Sequence, residues 1–230
     1  MIKAILMDFN GVIIDDEPLQ MRAYQELLKA ENIDLTEEQY AASHGMDDRT
    51  FVEAAFRRAG REPELAKTSE IIRGKIGLWR EMVAGALPIF PGAEHFIRKM
   101  EKEFALGIVS MANREEIEHV LETSGLADFF SVVVSAEDVS ACKPDPECYH
   151  RGFNLIDDWR IRHGSNPMVH GDCLVVEDTA AGILAGKRAG LKTLGVTNTV
   201  DARVLREAGA DSVTKTLYDW MPGSVRGVFV

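Results

Sequence analysis

The sequence is poor in cysteine, in long apolar runs and in basic residues. Its three cysteines, Cys142, Cys148 and Cys173, are odd in number and show no pairing pattern, so we expect a reduced, cytoplasmic protein. No apolar run approaches the ~18 residues that a membrane span needs, and we expect no membrane partner. With 26 Lys and Arg against 37 Asp and Glu, the net charge of −11 also disfavours nucleic acid as a partner.

The most informative part of the sequence is its first 17 residues, MIKAILMDFNGVIIDDE. The mostly apolar residues 2–7 predict a buried strand. They do not resemble a secretion signal, because the polar Asp8 and Asn10 follow too early for an apolar signal core. Gly11 then favours a turn. The sequence therefore predicts that Asp8 lies at the carboxyl end of the first strand.

Four further apolar runs predict buried strands, at Phe104–Ser110, Val132–Ser135, Met168–Glu177 and Lys192–Val196. Helical patterns lie between them, such as Glu115–Ser124, which is followed by a helix-ending Gly125. This alternation predicts an α/β fold with a Rossmann-like, doubly wound parallel sheet. Ligands of such sheets bind beyond the carboxyl ends of the strands, where Asp8, Ser110 and the Glu177–Asp178 pair would lie.

One long segment, residues 18–86, contains no convincing strand. Its patterns are helical, for example the apolar stripe from Ile72 to Val83. We therefore predict a helical cap domain of residues 15–88, inserted into a core domain of residues 1–14 and 89–230. The alternative is that these helices simply cover the sheet.

Four short motifs follow one another along the chain, each at a predicted strand end or helix start. They are DFNGV at 8–12, GIVS at 107–110, KPDP at 143–146 and VVEDTAAG at 175–182. In this order they resemble the motifs of the haloacid dehalogenase (HAD) superfamily. The resemblance covers nearly the whole chain and is to hydrolases with a helical cap after the first strand, the group containing β-phosphoglucomutase and phosphoglycolate phosphatase.

The resemblance implies a phosphatase whose chemistry is carried by three side chains. Asp8 would attack the phosphorus atom and form an aspartyl-phosphate. Lys143 would place its ammonium beside both Asp8 and the phosphoryl group, and Ser110 would donate a hydrogen bond to a phosphoryl oxygen. The substrate would be a small phosphorylated metabolite.

A bare carboxylate repels a phosphate dianion, so a cation is expected between them. Mg²⁺ suits this place because it is a hard ion that takes oxygen ligands. The ligands implied by the resemblance are Asp8, the backbone carbonyl of Asn10 and Asp178, with Glu177 either as a ligand or behind the ligands. Taken alone, Glu177 and Asp178 would equally fit a helix start with favourable negative charge.

Asn10 departs from the family pattern, in which this position holds a second Asp that acts as general acid and base. An amide can do neither at neutral pH, and loss of such help typically costs ~10²–10⁴ in rate. Three explanations stay open: an engineered substitution, a natural protein with slow or otherwise assisted activity, and a catalytically silent binder of a phosphorylated ligand. The acidic Asp15 and Asp16 fit a hinge and helix start, and we assign them no part in the chemistry.

The cap is expected to determine specificity through the loop that contains Gly45 and through Arg49, which could reach an anionic substituent. Gln20 and Asn113 are further substrate-binding candidates, although both depart from what mutases of this group carry at these positions. A β-phosphoglucomutase-like phosphomutase is therefore the second choice among enzymes. A dehalogenase is disfavoured, since it would not need the acidic pair at 177–178.

Overall fold

A computed structural model describes residues 1–230 and contains one six-stranded, all-parallel sheet. The strands are β1 (Ala4–Met7), β2 (Ala105–Val109), β3 (Val132–Val134), β4 (Cys173–Glu177), β5 (Lys192–Val196) and β6 (Ser212–Thr214). Their spatial order is β3-β2-β1-β4-β5-β6. The first strand is thus central, with Leu6 paired to Gly107 on one side and to Val175 on the other.

Helices cover both faces of the sheet. They are α5 (Ala93–Met100), α6 (Arg114–Ser124), α7 (Glu147–Arg162), α8 (Ala180–Arg188), α9 (Ala202–Glu207) and α10 (Pro222–Val228). Alternate residues of β1 belong to different apolar clusters: Ile5 and Met7 to one, Ala4 and Leu6 to the other. Since side chains alternate along a strand, the two clusters are the two sides of a sheet that is buried on both faces.

Four helices are inserted between β1 and α5: α1 (Glu17–Ala30), α2 (Glu37–Ala41), α3 (Asp48–Arg58) and α4 (Leu65–Val83). We call them the helical insertion. They enclose a separate apolar cluster around Tyr24, Phe51 and Phe56. The two connecting segments run side by side, with hydrogen bonds from Asp15 N to Pro88 O (2.7 Å) and from Phe90 N to Ile13 O (2.9 Å). The domain division at 14/15 and 88/89 stays a prediction, and these two features support it.

The predicted α/β fold class is confirmed, and two local differences have physical reasons. The short edge strand β6 was not predicted, because none of its three residues is fully buried and no apolar run marks it. The polar sequence of residues 154–167 suggests an elaboration at the sheet edge, whereas residues 154–162 continue α7, where Ile156 packs into the core and the exposed side chains other than Ile161 are polar. None of the helices is both long enough and apolar enough to cross a membrane.

Candidate active site

The carboxyl edge of the sheet brings the predicted motifs together. Asp8 directly follows β1 and its backbone N–H still donates to Val176 O of β4 at 3.0 Å. Ser110 directly follows β2, and its backbone N–H donates to Val134 O at 3.0 Å. Lys143 comes from the loop between β3 and α7, and its Nζ lies 3.0 Å from Asp8 Oδ2. Two strand ends and one loop thus converge at this edge of the sheet.

Glu177 holds Lys143 in place. Its Oε1 accepts hydrogen bonds from Lys143 Nζ at 2.6 Å and from the Tyr149 hydroxyl at 2.7 Å. Its Oε2 accepts from the backbone N–H of Asp178 at 3.2 Å and from the Thr179 hydroxyl at 3.3 Å. Gly182 allows this packing, since a Cβ there would lie 1.9 Å from the carboxylate. Both oxygens of Glu177 are therefore occupied within the protein.

Asp178 has one oxygen to spare. Its Oδ2 accepts a hydrogen bond from the Thr199 hydroxyl, whereas Oδ1 is buried and has no hydrogen-bond partner. Gly11, with φ of +74°, passes so close that a Cβ on it would lie 1.8 Å from Asp178 Oδ2. One oxygen from each of Asp8, Glu177 and Asp178 lies within 4.8 Å of the others. The unpaired buried oxygen and the all-oxygen donor set fit a hard divalent cation.

The electrostatics of the site also favour a cation. Burial raises the pKa of Asp8 to about 7, Glu177 adds to the rise, and Lys143 partly offsets it. Burial, followed by the charges of Glu177 and Asp8, holds the pKa of Asp178 well above its usual value. Although burial alone would lower the pKa of Lys143, the charges of Asp8 and Glu177 outweigh it and raise that pKa. Asp8 and Glu177 thus share one ammonium while Asp178 has no ion pair, and a bound cation would relieve the remaining negative charge.

Asn10 forms a hydrogen bond with Asp16, an acid to which the sequence assigned no part in the chemistry. Its Nδ2 donates to Asp16 Oδ1 at 2.8 Å, and Asp16 Oδ2 accepts from Gln20 Nε2 at 3.0 Å and from Trp79 Nε1 at 2.8 Å. Asp16 is completely buried, whereas Asp15 is exposed. Asp16 is thus the N-cap residue of α1, in agreement with the predicted helix start, and it is also buried because the insertion folds back over it.

A cavity that is partly open to solvent lies between this edge and the helical insertion. Six of the predicted site residues line it: Asp8, Asn10, Gln20, Gly45, Ser110 and Lys143. The turn at Gly45, with φ of +94°, brings the insertion against the core, and a Cβ there would lie 3.3 Å from Lys143 O.

Four predicted site residues do not line the cavity. Glu177 and Asp178 lie buried among the residues just described. Asn113 donates its side-chain amide to Asp48 and, at 3.2 Å, to Glu116 Oε2. Arg49 is exposed on α3, so its proposed contact with a substrate stays a prediction without support from this arrangement.

Several polar residues of the site were missed from the sequence. Thr199 and Tyr149, which bind Asp178 and Glu177, had no distinguishing local pattern. Lys75 does have a distinguishing pattern. It lies four residues after Ile71 and four before Trp79, which places it on the buried stripe of α4. A charged residue on an apolar helix face is rarely buried without a partner.

Comparison with known proteins supports the same interpretation of the site as its geometry. Residues 2–190 match the family described as haloacid dehalogenase-like hydrolase. A validoxylamine A 7'-phosphate phosphatase of Streptomyces hygroscopicus subsp. limoneus is 28% identical over 218 residues, covering 90% of this chain and 92% of the relative. A phosphorylated carbohydrates phosphatase of Thermotoga maritima is 27% identical, covering 93% of this chain and 94% of the relative.

The fold has counterparts among solved structures. A β-phosphoglucomutase from Clostridium difficile superposes with a TM-score of 0.85 at 19% identity, covering all of this chain and 97% of the other. At this identity the likeness concerns the fold alone. The family match, however, spans most of the sequence and includes all four motifs. The chain belongs to the haloacid dehalogenase-like hydrolases.

Proposed function

We propose that this protein is a Mg²⁺-dependent phosphate-monoester hydrolase of a small phosphorylated metabolite. The observation that carries the proposal is the contact of Asp8 Oδ2 with Lys143 Nζ at 3.0 Å, beside the unpaired Oδ1 of Asp178. A nucleophilic carboxylate, a fixed ammonium and a vacant oxygen ligand are what phosphoryl transfer requires. The names of the two phosphatase relatives, both of which act on phosphorylated compounds, support the same class.

The proposed reaction has two displacements at phosphorus. An Asp8 oxygen bonds to phosphorus while the bond from phosphorus to the leaving oxygen breaks, and that oxygen takes a proton from solvent. Water then attacks the same phosphorus and gives a proton to solvent, the bond to Asp8 breaks, and inorganic phosphate is released. Lys143 neutralises charge on the equatorial oxygens, and the Ser110 hydroxyl binds one of them. Glu177 and Tyr149 act by keeping the Lys143 ammonium in position.

Mg²⁺ would be held by Asp8, Asp178 and the backbone carbonyl of Asn10, with Glu177 behind them because its oxygens are already used. When bound, the ion would screen the carboxylates from the phosphate and stabilise the negative charge that develops in transfer. Gly11 contributes by leaving room for Asp178.

Asn10 makes the proposed enzyme slow, because its amide cannot protonate the leaving oxygen or deprotonate water. The same observation favours a second candidate function, a binder of a phosphorylated ligand that does not turn over. The cytoplasmic location inferred from the cysteines stays a prediction, and all three cysteines are free.

Hydrolysis of p-nitrophenyl phosphate with Mg²⁺ tests the proposal. We expect slow release of nitrophenol that stops with a chelator and is abolished in Asp8→Asn. The matched control is Asp15→Asn, an exposed carboxylate seven residues away, which should retain the rate. Mg²⁺-dependent binding of phosphate without turnover, in both the unsubstituted protein and Asn10→Asp, would establish the binder instead.

A further inference from the structure

A second charged cluster lies on the side of the cavity formed by the helical insertion and α6. The Nζ of Lys75, a residue only 2% exposed, is 2.6 Å from Asp48 Oδ2 and 2.7 Å from Glu116 Oε2. Glu17 lines the same cavity, and its Oε2 accepts from the Tyr40 hydroxyl at 2.6 Å. Three carboxylates therefore accompany one ammonium on this side.

The Tyr24 hydroxyl supplies an independent sign of a ligand. Tyr24 is 3% exposed and lines this side of the cavity; its hydroxyl faces the Asp48 carboxylate but makes no well-formed hydrogen bond with it or with any other group. Burial, then the charge of Asp48, holds the Tyr24 pKa well above its usual value, so the hydroxyl keeps its proton. A buried polar group without a well-formed hydrogen bond is destabilising, and a ligand that bonds to it would offset this cost.

We propose that Glu17, Tyr24, Asp48, Lys75 and Glu116 form a subsite, here called the insertion subsite, for a leaving group that carries hydroxyls and an amine. The proposal rests on the proposed function, since it names the substrate class of the same cavity: an aminated sugar monophosphate. The excess of carboxylates attracts an ammonium and repels a second anionic group. The Tyr24 hydroxyl matches a sugar hydroxyl, which can both donate and accept.

The other basic groups of the cavity do not reverse this preference. Lys143 is engaged by Asp8 and Glu177 at the reacting end. His44 Nε2 lies 3.8 Å from Glu17 Oε2 and could at most balance that one carboxylate. Arg49, the one residue expected to bind an anionic substituent, is exposed and outside the cavity. A second phosphate on the substrate would therefore meet no free cation in this subsite.

Binding of three sugar phosphates tests the charge preference. The ligands are glucosamine 6-phosphate, glucose 6-phosphate and glucose 1,6-bisphosphate, and the first and the last each differ from glucose 6-phosphate by one group. Each is titrated calorimetrically, with Mg²⁺, into the full-length Asp8→Asn variant, which cannot turn it over. We expect the amine to bind about tenfold tighter than the neutral sugar and the bisphosphate about tenfold weaker than it. Equal or inverted affinities, or no binding of any of the three, would overturn the proposal.

Tyr24→Phe tests the hydroxyl separately. We expect glucose 6-phosphate to bind several-fold more weakly while Tm stays equal or rises, because the variant removes a buried hydroxyl that makes no well-formed hydrogen bond. A lower Tm with unchanged affinity would show a structural hydroxyl and contradict the subsite. The control is Tyr218→Phe, an exposed tyrosine, for which neither quantity should change. Turnover of p-nitrophenyl phosphate is measured independently, so its absence would contradict the proposed function while the binding ratios still decide on the subsite.

Discussion

The side-chain nitrogen of Asn10 donates a hydrogen bond to Oδ1 of the buried Asp16 at 2.8 Å. The other Asp16 oxygen accepts from Gln20 and Trp79, so all the partners of this carboxyl are donors. Burial raises the pKa of Asp16 to about 7, and the hydrogen bonds from Asn10 and Gln20 partly offset that rise. Since Nδ2 faces Asp16, the amide oxygen of Asn10 faces elsewhere. The side of Asn10 that faces away from Asp16 therefore carries a hydrogen-bond acceptor, and the amide cannot act as a general acid.

Asn10→Asp is expected to raise kcat for p-nitrophenyl phosphate by about 10²-fold or more. The new carboxyl would lie beside that of Asp16, and two carboxyls at this distance share a proton, which raises one of their pKa values. A protonated acid would then be present near neutral pH. Steady-state kinetics with Mg²⁺ measures the gain, and Asn10→Ala, which adds no acid, should show none. An unchanged kcat in Asn10→Asp would contradict the general-acid argument.

Gly11→Ala is expected to abolish Mg²⁺ binding. Its φ of +74° disfavours any side chain, and the added Cβ would lie 1.8 Å from Asp178 Oδ2. Gly60 provides a matched control, because it has φ of +71° but no atom within 4 Å of an added Cβ. Both variants should lose roughly 1–2 kcal/mol from backbone strain. Calorimetric titration with Mg²⁺ should show binding in Gly60→Ala and none in Gly11→Ala, and equal binding in both would contradict the assigned role of Asp178.

The parts of the site that the sequence predicted are those defined by local patterns. Asp8, Ser110 and Glu177 each end an apolar strand, and parallel strands necessarily bring such ends to one edge. The burial of Asp16 could not be predicted, because an acidic residue before Pro18 fits an exposed helix start equally well. What buries it is the indole of Trp79, which is 63 residues further along the chain. No pattern within the first motif contains that information.

The insertion subsite was missed for the same reason. Lys75 lies on the buried stripe of α4, which the sequence does reveal, but its partners Asp48 and Glu116 belong to two other helices. Only the tertiary arrangement shows that they meet. The edge strand β6 was missed for a different reason, since a three-residue strand with no fully buried side chain carries too little apolar pattern to be distinguished from a turn.

Lys75→Met is expected to destabilise the fold by roughly 3–5 kcal/mol, since removing one partner leaves buried carboxylates without compensation. Asp48 and Glu116 are the carboxylates concerned, and Glu116 is 1% exposed. The free energy of unfolding is measured in urea. Lys67→Met is the control: Lys67 also pairs with two carboxylates, Glu31 and Glu70, but at the surface, where little change is expected. Similar losses in the two variants would contradict the buried character of the Lys75 cluster.

Asp172→Asn is expected to reveal a pH-dependent contribution to stability from the start of β4. Burial would raise the Asp172 pKa, but hydrogen bonds, led by that from Lys3 Nζ at 2.7 Å, lower it to about 2. Because the folded-state pKa is below the unfolded value of about 3.9, the contribution is complete above about pH 5 and is lost as pH falls towards 2. Lys3 is 38% exposed, so solvent screening limits the contribution to about 1 kcal/mol.

Urea unfolding between pH 2 and 7 should therefore show the unsubstituted protein to be more stable than Asp172→Asn near neutrality, with a difference that shrinks as the pH approaches 2. A difference that is constant across this range would mean that the carboxylate charge is not what Lys3 recognises, and the exposed Asp15→Asn should show no difference at any pH.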